Sequence, residues 1–243
     1  MLRRLVLHPS FHTVCLIFAR ALHHRCYSDY RWTMEGMADR IIDHYERHAR
    51  DWDADRNLDV NSWNDKPWHD RFIAALPRAA SVLDLGCGSG YPVAEYMVKR
   101  GLRVTGVDSS PTLISLCRQR LPDHEWLLGD MRSLCLPRQF DGLLAWDSFF
   151  HLTPDDQRRM FNVFARHAAR STVLMFNSGP DYGEAVGEYR GDRLYHASLS
   201  PDEYVTLLNG IGFEVVAHVV EDWKTGGGRT VWLTQARANR CEP

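Results

Sequence analysis

The stretch SVLDLGCGSGYPVAEYM, residues 81–97, constrains the fold of this chain more than any other. Val82, Leu83 and Leu85 read as a short buried strand that runs into a turn with glycine at 86, 88 and 90, and Pro92 opens a helix expected to reach about Arg100. Glycine allows positive φ and lets the backbone approach a ligand closely. The helix that follows offers unpaired N–H groups to something polar. Strand, glycine turn and helix together form a unit suited to holding a ligand, with Asp84 at its edge.

The unit recurs along the chain. RVTGVD (103–108) is a second strand, and Ser110-Pro111 caps the helix PTLISLCRQR. EWLLGD is a third strand and FDGLLAW a fourth; Thr153-Pro154 starts a helix expected over 154–170, and STVLMFN is a fifth strand. Strands alternating with helices in short units imply a parallel sheet with helices on both faces. Upstream, Ile41, Tyr45, Ala49 and Trp52 share one helical face, and Trp68, Phe72 and Leu76 share another. Residues 178–199 are glycine-rich and aperiodic, the signature of a lid or binding loop. Ser200-Pro201-Asp202-Glu203 is a capping box, after which FEVVAHVV and RTVWLTQA form a C-terminal β-hairpin. The expected divisions are an N-terminal extension over 1–33, a helical cap over 34–80, a core over 81–236 carrying the lid-like insert, and a tail over 237–243.

Composition narrows the partners. The 243 residues carry a formal net charge of −2 with no Lys/Arg run in the body of the chain, so nothing marks a surface for tracking nucleic acid. A small molecule is the expected partner. Six scattered cysteines without a CxxC pair indicate neither a disulfide framework nor a zinc site, and suit a reduced, cytoplasmic setting. Residues 1–33 contain no acid before Asp29, as in a transit peptide, but they equally suit a disordered tail ahead of a start at Met34 or Met37. Their apolar run, Thr13 to Ala19, is too short to span a bilayer, so no membrane association is expected. The histidines at 8, 12, 23 and 24 are not taken as metal ligands.

Over about residues 37–236, these motifs in this order resemble the class I S-adenosylmethionine-dependent methyltransferases. LDLGCGSG is similar to the family's glycine-rich first motif, VTGVD to its acidic second, LLGDM to its third, and FDGLLAWDSFFHL to its fourth strand and active-site loop. The resemblance implies a Rossmann-like α/β fold: a seven-stranded, mostly parallel sheet closed by the antiparallel hairpin. It implies S-adenosylmethionine as cofactor, with Asp84, Gly86, Cys87, Gly88 and Gly90 around its methionine portion. Asp108, beside Ser109, would accept the ribose hydroxyls; Asp130 and Met131 would read the adenine; and Trp146 would border the site. Tyr45 and Trp52 would cover the sulfonium, where an aromatic face favours positive charge.

The implied reaction is methyl transfer to oxygen, nitrogen or carbon of a small organic acceptor, because AWDSF stands where nucleobase methyltransferases carry an Asn/Asp-Pro-Pro-aromatic motif. If the acceptor must lose a proton, His151 and His196 are the candidate bases near neutral pH, with Glu184 a further polar candidate. No metal is expected, and the oligomeric state stays open. Two alternatives stand beside this reading. One is a methyltransferase-like binding or regulatory protein without turnover. The other is an NAD(P)-dependent oxidoreductase, disfavoured because Tyr91 falls where G-x-G-x-x-G needs its last glycine.

Overall fold

The computed structural model describes residues 34, 36–57 and 63–237. The expectations for the N-terminal extension and for the tail beyond residue 237 lie outside them.

A central sheet of seven strands has the order β3-β2-β1-β4-β5-β9-β8. Its members are β1 (Ser81–Leu85), β2 (Arg103–Asp108), β3 (Glu125–Leu128), β4 (Phe140–Ala145), β5 (Ala168–Ser178), β8 (Phe213–Asp222) and β9 (Arg229–Ala236). The first five pair in parallel, and β9 is antiparallel to both neighbours, β5 and β8. The expected sheet and closing hairpin are therefore present. Chain order reverses between β1 and β4, and the crevice beyond the carboxyl ends of strands at such a reversal is where open α/β sheets bind ligands.

Strand alternation sorts the core onto the two faces of the sheet. Leu83 and Leu85 of β1, Leu143 of β4 and Leu174 and Phe176 of β5 pack with α6 (Pro154–His167) and α7 (Pro201–Gly210) through Phe161, Phe164, Tyr204 and Leu208. Val82, Leu144, Val173 and Met175 face the other way. They meet Trp68 and Phe72 of α3 (Lys66–Ala74), Ala94 and Met97 of α4 (Val93–Lys99), and Ile114 and Cys117 of α5 (Pro111–Arg120). Asp84 shares the parity of Val82, and it is buried at the end of β1 where that face runs out.

Two expectations about local structure change. The helix expected over 154–170 stops at His167, and β5 begins at once with Ala168, because register with β4 pairs Phe140 with Ala168. The aperiodic insert is not an irregular loop: it forms a second, two-stranded sheet of β6 (Gly183–Tyr189) and β7 (Asp192–Ser198), turning through Arg190-Gly191 with positive φ at both. The pairing sets Gly183 opposite Ser198 and Tyr189 opposite Asp192. Glycine at 183 and 187 dilutes the side-chain alternation that would have marked the strand. At the N-terminal end, the single helical pattern resolves into α1 (Ile41–Arg47) and α2 (Ala49–Asn57), which meet at His48. Among the described residues no helix is long and apolar enough to cross a membrane.

Gln157 of α6 joins the insert to the body of the fold. It is fully buried; its Nε2 donates to the carbonyls of Leu152 (3.0 Å) and Ala197 (2.9 Å), and its Oε1 accepts from the Tyr204 hydroxyl (2.5 Å). Gln157→Leu keeps the bulk but strands these partners, at about 1–3 kcal/mol for each group left without one. We expect a loss on the order of 3 kcal/mol in urea unfolding, with Tyr204→Phe costing less.

Candidate active site

The carboxyl ends of β1 and β2 are stitched together by backbone. Gly86 and Cys87 donate to the Val107 carbonyl at 2.8 and 3.1 Å, and Gly88 N donates to Asp108 Oδ2 at 2.9 Å. Gly86 has φ +79°, and a Cβ there would sit 2.3 Å from Ser148 Cβ, so only glycine lets the β4 turn close over the end of β1. Ser148 fastens that turn by donating from Oγ to the Leu85 carbonyl at 2.6 Å.

Asp108 does more than face a ligand. While Oδ2 holds Gly88 N, Oδ1 accepts from Ser110 N at 2.9 Å, so one carboxylate joins the glycine turn to the start of α5. Each oxygen keeps a lone pair for a further donor. Ser110 Oγ accepts from Leu113 N and donates to Glu46 of α1, whose carboxylate also takes Thr112 N (3.1 Å) and Thr112 Oγ1 (2.7 Å). Glu46 thereby docks the cap helices on the core, and its neighbour Tyr45 reaches the pocket.

That pocket is lined by Tyr45, Trp52 and Arg56 from the cap, Asp84, Gly86, Cys87 and Gly88 from β1 and its turn, Asp108 and Ser109 after β2, Asp130 and Met131 after β3, and Trp146, Asp147, Ser148 and His151 after β4. Of the residues singled out from sequence, Tyr45, Trp52, Asp84, Gly86, Cys87, Gly88, Asp108, Ser109, Asp130, Met131, Trp146 and His151 line this one pocket. Gly90 and His196 do not line it. Gly90 turns away into packing, where a Cβ would meet Cys117 Sγ at 3.3 Å and Ala94 Cβ at 3.8 Å. His196 stands behind the wall, with its ring against Phe150 and His151. Glu184 is exposed and accepts from the Tyr195 hydroxyl.

The charged groups differ from simple expectation. Burial, reinforced by the Asp108 carboxylate, pushes the Asp84 carboxyl up to about 7. Asp130 is held in the fork of Arg132, whose Nε lies 2.9 Å from Oδ2, so only part of its acceptor capacity faces the pocket. His151 is not an imidazole that titrates near neutrality. It is buried; its Nδ1 faces the Tyr195 carbonyl at 2.8 Å and its Nε2 the Tyr45 hydroxyl at 2.8 Å, and burial followed by His196 pushes it down to about 3. Since a carbonyl only accepts, Nδ1 carries the proton and Tyr45 donates to Nε2. His196 is likewise pushed down to about 4, mainly by burial.

Sequence reading misses the polar wall opposite the glycine turn. Asp147, at φ +51°, accepts from Arg229 Nε and Nη2 (both 2.7 Å) and from Asn177 Nδ2 (2.7 Å), with Arg56 3.7 Å away. Asp147 follows a strand end, a position that could have drawn notice, but Arg229 lies 82 residues further on with no local signal.

Fold and pocket define a Rossmann-like α/β domain with a cofactor-sized cleft at the β1/β4 reversal. Residues 82–171 match the family profile described as a methyltransferase domain. The chain is 34% identical over 111 residues to trans-aconitate 2-methyltransferase of Azoarcus sp. (strain BH72), covering 45% of this chain and 43% of that relative. It is 26% identical over 202 residues to demethylmenaquinone methyltransferase of Thermotoga maritima, covering 70% and 86%. Burkholderia thailandensis 1,6-didemethyltoxoflavin-N1-methyltransferase, solved with its substrate and S-adenosylhomocysteine, superposes with a TM-score of 0.65 at 18% identity, over 90% of this chain and 94% of that one. The match to the Azoarcus relative spans less than half of its length. Residues 82–171 are thus similar to a methyltransferase domain, and the fold around them is the one shared by solved S-adenosylmethionine-dependent methyltransferases.

The Asp147 cluster sets a pH limit. Burial alone would raise its carboxyl, but Arg229, Arg56 and the Asn177 hydrogen bond outweigh it, and Asp147 lies well below the usual carboxylate range. A depressed acid contributes stability above its unfolded value, about 3.9, and loses that contribution as pH falls further. Asp147→Asn should therefore cost about 3 kcal/mol at pH 7, as removal of one partner from a buried ion pair does. Its melting temperature should also fall less steeply than the wild type's below about pH 4.

Proposed function

We propose that the chain transfers the methyl group of S-adenosylmethionine to oxygen, nitrogen or carbon of a small organic acceptor. The observation that carries this reading is the convergence, in one pocket, of a glycine turn, acids at the ends of β1 and β2, and aromatic side chains from the cap. Asp84 would take the methionine ammonium, Asp108 the ribose hydroxyls through its remaining lone pairs, Asp130 and Met131 the adenine end, and Tyr45 and Trp52 the sulfonium. Trp52 Nε1 lies 3.8 Å from where a Cβ on Gly88 would be, close over the turn.

The leaving thioether departs neutral, so the main task is alignment in a dry pocket, which supplies roughly 7–11 kcal/mol. Where the acceptor must lose a proton, we place the transfer on the Tyr45–His151 pair: the acceptor donates to the Tyr45 oxygen as the Tyr45 proton moves to His151 Nε2. His196 supports His151 from behind. The relatives named for trans-aconitate, demethylmenaquinone and 1,6-didemethyltoxoflavin support a small-molecule acceptor. A cytoplasmic setting is part of the proposal, supported by free Cys87, Cys117 and Cys135.

The deciding measurement is calorimetry with S-adenosylmethionine, S-adenosylhomocysteine, NAD and NADP. Asp84 gives it a signature. Its carboxyl, raised to about 7, holds a proton in the unliganded protein below that pH, and a bound ammonium favours the carboxylate. Binding at pH 6 should release a proton, visible as a buffer-dependent heat, and affinity should rise as pH passes about 7. Asp84→Asn should remove both effects. Binding of NAD without binding of S-adenosylhomocysteine would overturn the assignment. Mass spectrometry of products formed in cell extract then separates an enzyme from a silent binding protein.

For the proton path, His151→Gln is expected to lower turnover on an acceptor that must be deprotonated, by less than the roughly 10²–10⁴ of a base matched to neutral pH, with S-adenosylmethionine affinity within a few-fold. The wild-type rate profile should lack a limb near pH 6.5, because His151 is neutral throughout that range. Parallel losses of binding and rate would mark a purely structural histidine.

A further inference from the structure

One cluster of donors lies outside the pocket and outside the reaction. His44 and His48 stand one helical turn apart on the cap, and Asp192, the first residue of β7, meets them from the hairpin tip. Asp192 Oδ2 is 2.9 Å from His48 Nε2 and 3.5 Å from His44 Nδ1, and the donor atoms of all three residues fall within 4.8 Å of one another. His44 is 2% exposed, yet neither of its ring nitrogens makes a hydrogen bond, and its nearest charged neighbour is Asp192 at 3.5 Å.

We propose that His44, His48 and Asp192 bind one divalent transition-metal ion of the zinc class, which fastens the hairpin tip to the cap helix. Two histidines at i and i+4 present nitrogens on one helix face, a spacing that suits zinc, and a carboxylate completes a borderline N/N/O donor set. Metal–ligand bonds of about 2.0–2.2 Å in a tetrahedron put neighbouring donors roughly 3.3 Å apart. The two distances to Asp192 bracket that value. Three protein donors leave the fourth position to water.

The alternative is a plain ion pair: Arg47 Nη1 also reaches Asp192 Oδ2, at 3.1 Å, and with His48 it could satisfy the carboxylate. That arrangement leaves the buried ring nitrogens of His44 without a hydrogen bond, whereas a metal ion takes the lone pair of one of them. Arg47 is 59% exposed and swings into solvent when the ion enters. Tyr189 lies against both histidines, with ring centroids at 5.8 and 5.9 Å, and against Trp52 at 5.5 Å. An ion there holds the strand that backs a pocket wall.

The test uses the full chain, stripped with chelator and titrated with Zn²⁺ by calorimetry, and with Co²⁺ for the visible absorption of a tetrahedral site. His8, His12, His23 and His24 are removed together in one variant, because the N-terminal extension also carries imidazoles. We expect one ion per chain, unaffected by that four-alanine variant, weakened at least 100-fold by His48→Ala or His44→Ala and at least tenfold by Asp192→Asn. Circular dichroism checks each variant. If His44→Ala does not fold, the less buried His48 and Asp192 carry the comparison. In the wild type, Zn²⁺ should also slow tryptic cleavage after Arg190. Absence of binding, its loss in the four-alanine variant, or its persistence in His48→Ala would each overturn the proposal.

Discussion

Much of this structure depends on the Asp108 carboxylate. It accepts from the turn after β1 with one oxygen and from the start of α5 with the other, and so fixes two adjacent strand ends at one spacing. Through Ser110 the same node reaches Glu46 and the cap, which has no strand of its own to anchor it. Burial raises this carboxyl while the backbone N–H groups of Ser110 and Gly88 draw it back down. The residue that meets the cofactor in our proposal is thus also the one that builds its seat.

The cap and the β6–β7 hairpin converge from opposite ends of the sequence. Tyr45 contacts His151 through its hydroxyl and Trp52 through its ring, and His151 in turn contacts the backbone of β7 at Tyr195. The pocket wall is therefore one connected object made of three chain segments. A change in the backbone of β7 at Tyr195 reaches the Tyr45 hydroxyl through the His151 imidazole.

The sheet was legible because each βα unit carries its own local signals: apolar runs of strand length, Ser110-Pro111 and Thr153-Pro154 caps, and glycine after the first strand. The glycine-turn side of the pocket was legible for the same reason, since Asp84, Gly86 and Asp108 sit at strand ends within one contiguous stretch. The rest depends on distance in space. Gly90 looks like Gly88 in sequence, but it faces Cys117, and only the packing of α4 on α5 decides that. Arg229 joins Asp147 across the sheet, from β9 to the end of β4. The hairpin hid behind glycines that weaken its alternation, and the low basicity of His151 follows from burial, which no local motif encodes.

The hairpin tip meets the cap through exposed ion pairs beside the packed ring of Tyr189. Arg190 and Tyr189 reach Asp55, and Asp192 reaches Arg47 and His48, with Arg190 and Arg47 largely in solvent. The base of the same hairpin is apolar and buried, at Leu194, Tyr195 and Ala197. Dissolved ions screen the first kind of contact over about 8 Å at physiological strength and leave the second nearly untouched. Ionic strength thus acts on the exposed ion pairs of the tip and leaves the Tyr189 packing and the root in place, so the two ends of this one element answer differently to the surrounding electrolyte.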